Sequence, residues 1–224
     1  MKLCSAFLFA LLVHGVLYAQ EAPVLVLSRV TPKAGDEASY EAHLRRQAHL
    51  CAKLACPFRY VVLQPVMSTN EVWSLAVYAS LADKQKMEDY YLNGAPAVLR
   101  MHFPVARWSG GAPTTYRSDL SHWAPWGMGE HPFLVITFTK NPALVDGVVF
   151  EGTDASRIIV SYAETRSDAD AIAGAAGPDA VILAIRPDLS VPEKTWIVAN
   201  PELWAKPASA KDIRPLIDAG QIPQ

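Results

Sequence analysis

The pattern of apolar and polar positions first becomes regular at Val24-Leu25-Val26-Leu27-Ser28-Arg29-Val30, a run of Val and Leu with little polar interruption. Such a run predicts a well-buried strand. Pro32, Gly35 and Asp36 mark a turn and a helix start. Tyr40, Leu44, Ala48, Cys51, Ala52 and Ala55 then recur at three- and four-residue steps, with Glu37, Glu41 and Arg45 mostly on the other side. This period predicts an amphipathic helix of about five turns. Glu41 and Arg45 are ordered for a weak helical ion pair. Phe58 to Leu63 and Val72 to Ala79 predict strands on either side of the turn Ser68-Thr69-Asn70. Ser80 with Asp83 signals the N-cap of a second helix reaching about Leu92, which Asn93-Gly94-Ala95-Pro96 ends. A closing strand is expected within residues 98–108. The resulting order is the split β-α-β, or ferredoxin-like, plan.

The second half echoes the first. Pro132 opens Phe133-Leu134-Val135-Ile136-Thr137-Phe138-Thr139 as Pro23 opens the first strand, and Ile159-Val160-Ser161-Tyr162-Ala163-Glu164 echoes Leu75-Ala76-Val77-Tyr78-Ala79-Ser80. Pro23 and Pro132 lie 109 positions apart but Tyr78 and Tyr162 only 84, so the second copy is 25 residues shorter between the echoes. That is roughly a helix and its turn, and residues 141–156, with Pro142, Gly147 and Gly152, show no long helical period. The fold class expected is therefore α+β, with tandem ferredoxin-like units of which the second is degenerate. Further expectations are a strand over 158–163, an Ala-rich helix over 167–176 capped by Ser167, a buried strand over 180–186 and a last strand from Thr195 to Ala199. A short tail helix over Ile213, Leu216 and Ile217 would follow. Residues 109–131 hold Gly110, Gly111, Pro113, Pro125, Gly127 and Gly129, and Trp108, Trp123, Trp126, His122 and His131 lie in or beside them. So many aromatics point to an ordered connector rather than a flexible linker. The expected organisation is residues 1–19, 20–108, 109–131, 132–207 and 208–224 as leader, first unit, connector, second unit and tail.

The leader reads as a secretory signal. Lys2 supplies the positive start, Leu3 to Val16 the apolar core, and Ala19 the small residue before the cut. The run is short for a membrane span, which needs about 20 apolar residues. Cys4 lies at the start of the apolar core and not after it, and so is not a lipid-acceptor cysteine. A secreted or periplasmic protein is expected, with no other membrane contact. Loss of Lys2 leaves 19 basic against 22 acidic residues, a formal balance of −3. No basic run occurs, so neither nucleic acid nor an anionic membrane is an expected partner. A monomer and a homodimer both remain open.

Two cysteines lie beyond the leader, Cys51 and Cys56. In one continuous helix a spacing of five sets them about 140° apart. A disulfide requires the helix to end between them, which Pro57 favours. Two small buried thiols are the alternative.

Standard catalytic signatures are absent: no His-Glu-x-x-His pair, Gly-x-Ser-x-Gly elbow, phosphate loop or dinucleotide fingerprint occurs. His43 and His49 sit about 240° apart around their helix and do not converge on one metal. Surface or capping roles are expected for most histidines, and no cofactor is implied. The constellation of interest is Arg29, Trp73, Ser74, Tyr78, Tyr90, Tyr91 and His102. In the third strand Trp73, Leu75 and Val77 share one face, and Ser74, Ala76 and Tyr78 the other. The second, smaller face is expected to line a lumen, where Arg29 or His102 could meet an anionic or phenolic ligand. The bland alternative is that the aromatics are core and Arg29 reaches solvent by its stem.

Over residues 23–108 the element order, with Val72-Trp73-Ser74-Leu75-Ala76-Val77-Tyr78-Ala79-Ser80 running into a polar helix, resembles the dimeric α+β barrel superfamily. That superfamily includes the antibiotic-biosynthesis-monooxygenase-like proteins. The resemblance implies two sheets paired into a barrel around a pocket, formed here within one chain. Three readings follow: an exported protein that binds a small apolar or aromatic molecule, a cofactor-free monooxygenase-like enzyme acting on an aromatic or quinol-type substrate, and an interaction protein using the Trp-rich connector.

Overall fold

The computed structural model describes residues 23–67, 70–95, 114–118, 127–139, 147–152 and 157–204, with the backbone alone over 114–118. Among them are eight strands: β1 (Val24–Val30), β2 (Val61–Pro65), β3 (Val72–Tyr78), β4 (Thr114–Ser118), β5 (Phe133–Thr139), β6 (Val148–Gly152), β7 (Arg157–Ala163) and β8 (Ala180–Ile185). They form a closed barrel in the order β1-β3-β2-β8-β5-β7-β6-β4. Every pairing is antiparallel. Within the circle, β4-β1-β3-β2 and β8-β5-β7-β6 repeat one arrangement, the fourth strand beside the first and the first beside the third. These are two ferredoxin-like units, joined through β2 with β8 and β4 with β6. Closure leaves no free sheet edge.

The helices are α1 (Glu37–Lys53), α2 (Leu81–Asp89), which runs into a π turn at Tyr90–Gly94, α3 (Arg166–Ala176), α4 (Lys194–Ala199) and α5 (Pro201–Trp204). Between β1 and β2 lies α1, whereas β5 ends at Thr139 and β6 begins at Val148. The inequality of the two echoes is this difference.

Outside β4, alternate residues of the strands point inward. Leu25, Leu27, Val61, Leu63, Trp73, Leu75, Leu134, Ile136, Val148, Phe150, Ile158, Val160, Leu183 and Ile185 form one buried cluster. An eight-strand barrel is just wide enough for side chains to fill it, and here they do. One end is closed by Met128, Trp196 and Trp204, which belong to the same cluster. The two indoles stack at 6.1 Å, and Trp204 Nε1 donates to the Gly129 carbonyl at 2.7 Å. Asn200 Nδ2 donates to the carbonyl of Glu130 at 3.0 Å.

Several expectations are corrected. Residues 98–108 lie outside the described residues, and β4 occupies the closing position of the first unit, inside the segment read as connector. β6 was not foreseen. Thr195–Ala199 is helical: Trp196 is 3% exposed, but Ile197 and Val198 are 42% and 80% exposed. That is burial on one side of a turn, not alternation. The cap of α3 is Thr165, whose hydroxyl accepts from the Asp168 amide while Asp168 answers to the Thr165 amide. The tail beyond Trp204 and most of the connector's aromatics, Trp108, His122, Trp123 and Trp126, lie outside the described residues.

On the outer surface α1 packs Tyr40 and Leu44 against Val62, Val72 and Leu189. Farther along, Ala48, Leu50 and Cys51 meet Cys56 and Val191. Beyond Lys53 the chain turns back at Ala55, with a positive φ of 48°. The turn brings the Cα atoms of Cys51 and Cys56 to 4.8 Å, and the two form a disulfide. The helix ends between the two cysteines, which is the geometry a bridge requires. Hydrogen bonds also tie α1 to the segment after β8. Arg186 donates to Glu41 and Asp188, each at 3.1 Å, and Arg45 to Asp188 at 2.9 Å. The Glu41–Arg45 pair is longer, at 4.0 Å.

Burial alone would raise the Asp188 carboxyl, but hydrogen bonds from Arg186 and Arg45 outweigh it and hold it below the ordinary carboxylate range. The fold thus favours the carboxylate. Its contribution is complete above the unfolded value, about 3.9, and is lost as pH falls through the lowered one. Asp188→Asn should cost about 1 kcal/mol at pH 6, given the partial exposure of the network. Urea titrations at pH 6 and pH 2.5 check this: the wild type should lose more stability than the variant on acidification, and equal losses would contradict it.

Candidate functional site

The outer face of β3 carries Ser74, Ala76 and Tyr78. This reverses the expected assignment, because Trp73, Leu75 and Val77 turn into the barrel. The physical reason is volume: the lumen needs the bulky face, and the small face lets helices lie over the sheet. A related slip affects the echo. Tyr162 packs with the barrel core whereas Tyr78 lies outside, so Val77 rather than Tyr78 matches Tyr162. One residue of register exchanges faces.

Above Ala76 lies an open cleft of about 750 Å³. α1 contributes Gln47, and the segment before β2 contributes Phe58, Arg59 and Tyr60. β3 supplies Ala76 and Tyr78, while α2 and the π turn supply Gln85, Met87, Glu88, Asp89, Tyr91 and Leu92. The space exists for two local reasons. Ala76 places only a methyl group on the floor, and α2, capped by Ser80 accepting from the Asp83 amide at 3.0 Å, buries none of its residues. The π turn then brings Tyr90 and Tyr91 edge-on to Phe58, with ring centroids 5.9 and 6.1 Å away. Single π turns inside helices recur at functional sites.

Three polar groups stand in this aromatic setting. Gln47 is 6% exposed, and its side-chain amide makes no hydrogen bond among the described residues. Arg59 Nη1 donates to the carbonyls of Cys56 and Phe58. No described carboxylate lies within ion-pair distance of its guanidinium. The Tyr60 ring lines the cleft while its hydroxyl is buried without a partner. Burial, with a smaller effect from Tyr40, pushes the Tyr60 phenol far up. Tyr78 is raised by burial and then by Glu88, and burial pushes Tyr40 up to about 12. The phenols of Tyr60 and Tyr78 therefore stay neutral at physiological pH. Glu88 is held by Lys84 at 2.6 Å.

The expected site residues divide between two places. Arg29 and Trp73 meet at the barrel mouth opposite the Trp196 plug. There the guanidinium lies 4.4 Å from the Trp73 ring and 5.9 Å from that of Phe138, and Glu71 holds it at 2.8 Å. Tyr78 lines the cleft, Tyr90 packs beside it, and Ser74 lies on the same sheet face nearer the Trp73 end. His102 lies outside the described residues. The sequence reading missed Gln47, Phe58 and Arg59. Only Gln47 left a signal: it is a polar residue three after Leu44 and four before Cys51, on the buried stripe of α1. Among the described residues no three His, Cys, Asp or Glu side chains gather to hold a metal ion.

No family model matches the chain, and no curated protein matches it. Solved structures do resemble it. A chlorite dismutase of Candidatus Nitrospira defluvii aligns over 76% of this chain and 93% of its own, with 9% identity and a TM-score of 0.46. An anthrone oxidase-like protein aligns over 79% and 96%, with 14% identity and a TM-score of 0.39. A provisionally named monooxygenase from Fusobacterium nucleatum aligns over 88% and 87%, with 11% identity and a TM-score of 0.38. These neighbours have the dimeric α+β barrel fold. The fold of this chain rests on its own strand order.

Proposed function

We propose that this is an exported protein that binds a small aromatic molecule in the outer cleft of its first unit, and not in the barrel lumen. The observation that carries the reading is the contrast between the two spaces. The lumen is occupied by its own Leu, Ile, Val, Phe and Trp side chains. The cleft is open, walled by Phe58, Tyr60, Tyr78 and Tyr91, and holds a few placed polar groups. Its volume falls within the range of about 300–1,000 Å³ usual for small-molecule sites. Export is supported by the apolar leader and by the Cys51–Cys56 disulfide, since such bridges persist in oxidising compartments. Binding is favoured over turnover because the inner wall offers neutral phenols, an amide and a guanidinium, which orient a ligand more readily than they accept a proton.

Ala76→Phe tests this. The added ring fills the cleft floor at a position that belongs to none of the buried clusters. Affinity for 2-naphthol, followed by isothermal titration, should fall by at least about tenfold, the equivalent of ~1.4 kcal/mol. The melting temperature should stay within a few degrees. Equal affinity in the two proteins, or no binding to the wild type, would overturn the reading.

A further inference from the structure

Resting on the reading of the cleft as a binding site, we infer that its ligand is an aromatic carboxylate, with the anion taken by Arg59 and Gln47. Arg59 lines an apolar, aromatic cleft and is permanently cationic. Its hydrogen bonds go to two backbone carbonyls, those of Cys56 and Phe58, through one nitrogen, Nη1. Those contacts orient the guanidinium without neutralising it. They leave the Nε and Nη2 donors of a planar fork that matches a carboxylate.

The second observation is independent of the first. Gln47, on a different element, is 6% exposed and yet its side-chain amide makes no hydrogen bond among the described residues. The amide is not sealed away without a partner, so it reaches the solvent of the cleft, where a ligand's acceptor could take the place of water. Gln47 and Arg59 both border the same space. The flat walls set by Phe58 and Tyr91 suit a ring, and Ala76 gives that ring depth.

The carboxylates of the cleft stand on the opposite side, on α2. Glu88 is already matched by Lys84 at 2.6 Å, and Asp89 lies on the exposed rim. A cationic ligand would meet Asp89 only in solvent and would face Arg59 within. An anionic one meets Arg59 and the free amide at the inner wall. Attraction from the partly buried cation outweighs repulsion from a solvent-screened carboxylate.

Titrations with 2-naphthoate, 2-naphthol and 2-naphthylmethylamine test the inference, because the three share one ring system and differ in charge. The wild type should bind 2-naphthoate at least about tenfold more tightly than 2-naphthol, as expected of a charge-assisted hydrogen bond. Arg59→Gln should abolish that preference, weakening 2-naphthoate by at least about tenfold and 2-naphthol by clearly less. Because Arg59 also braces the turn after α1, Gln47→Leu provides a second variant. It retains the helix and should weaken 2-naphthoate several-fold and 2-naphthol by clearly less. Equal wild-type affinities for the acid and the alcohol, a preference for the amine, or a preference for the acid that survives both variants would each overturn the inference. In those cases 2-naphthol binding that Ala76→Phe abolishes would leave the cleft itself standing. Absence of binding by all three probes would remove the cleft and the inference together.

Discussion

Gly129→Ala is expected to destabilise the protein by about 3 kcal/mol or more, the sum of two separate penalties. Gly129 has φ of +79°, in the left-handed region, where a Cβ costs roughly 1–2 kcal/mol. The added methyl group would also stand 2.8 Å from Trp196 Cγ and closer to neighbouring ring atoms. Relieving such overlap in a packed core costs about 1–3 kcal/mol. Trp196 has little room to move, because Trp204 stacks on it and is itself tied to the Gly129 carbonyl. For a chain of this size the loss corresponds to a fall in melting temperature of roughly 10 °C. Gly174→Ala is the control. It lies in α3, and a Cβ there would meet nothing within 4 Å, so a gain of about 0.5–1 kcal/mol is expected. Thermal melts of the two variants that coincided would show that the α4–α5 plug does not close the barrel.

Trp73→Ala should cost still more, about 3–5 kcal/mol. The side chain is fully buried, lies in the central cluster, and packs edge-on to Phe138 at 6.0 Å. Truncation leaves a cavity that the neighbouring strands, held by ladders on both sides, cannot collapse to fill. It also removes the face over which Arg29 sits at 4.4 Å, a contact worth roughly 0.5–1 kcal/mol at such partly exposed positions. Trp73→Phe separates volume from polarity. The indole nitrogen is buried without a hydrogen bond, so exchanging it for carbon relieves an unmet donor while most of the volume remains. The Phe variant should therefore lose less than half of what the Ala variant loses in urea midpoints. Near-neutral behaviour of Trp73→Ala would mean that the lumen is not tightly filled.

The parts of the fold legible in the sequence were those with a long or strongly directional pattern. The α1 stripe from Tyr40 to Cys51 is long enough for its period to be unmistakable, and Val24–Val30 and Phe133–Thr139 are continuous apolar runs. The two echoes pointed to two units and to a shorter first connection in the second, because a helix changes spacing by a countable number of residues. Short elements were hidden. Thr195–Ala199 is rich in β-branched residues, yet the six residues of α4 cannot display a helical period, and the docking of Trp196 on Gly129 favours a helix. Val148–Gly152 and Thr114–Ser118 became strands because neighbours across the barrel needed partners, which is a fact of tertiary structure.

The site was less legible than the fold. Alternation in β3 separated Trp73 from Tyr78 correctly but could not say which face turned inward, since closing a barrel demands bulk inside. Arg59 and Phe58 lie in an irregular segment whose position depends on the Cys51–Cys56 turn. Gln47 was readable as a polar interruption of an apolar stripe, and it lines the cleft to which the proposed function now attaches.

The most direct test of where a ligand binds is methyl chemical-shift mapping of the isotopically labelled protein titrated with 2-naphthoate. The account predicts shifts at Ala76, Met87 and Leu92, which line the cleft, with Leu134, Ile136 and Leu183 of the lumen unmoved. Shifts centred on those three lumen residues, with the cleft methyl groups silent, would contradict it.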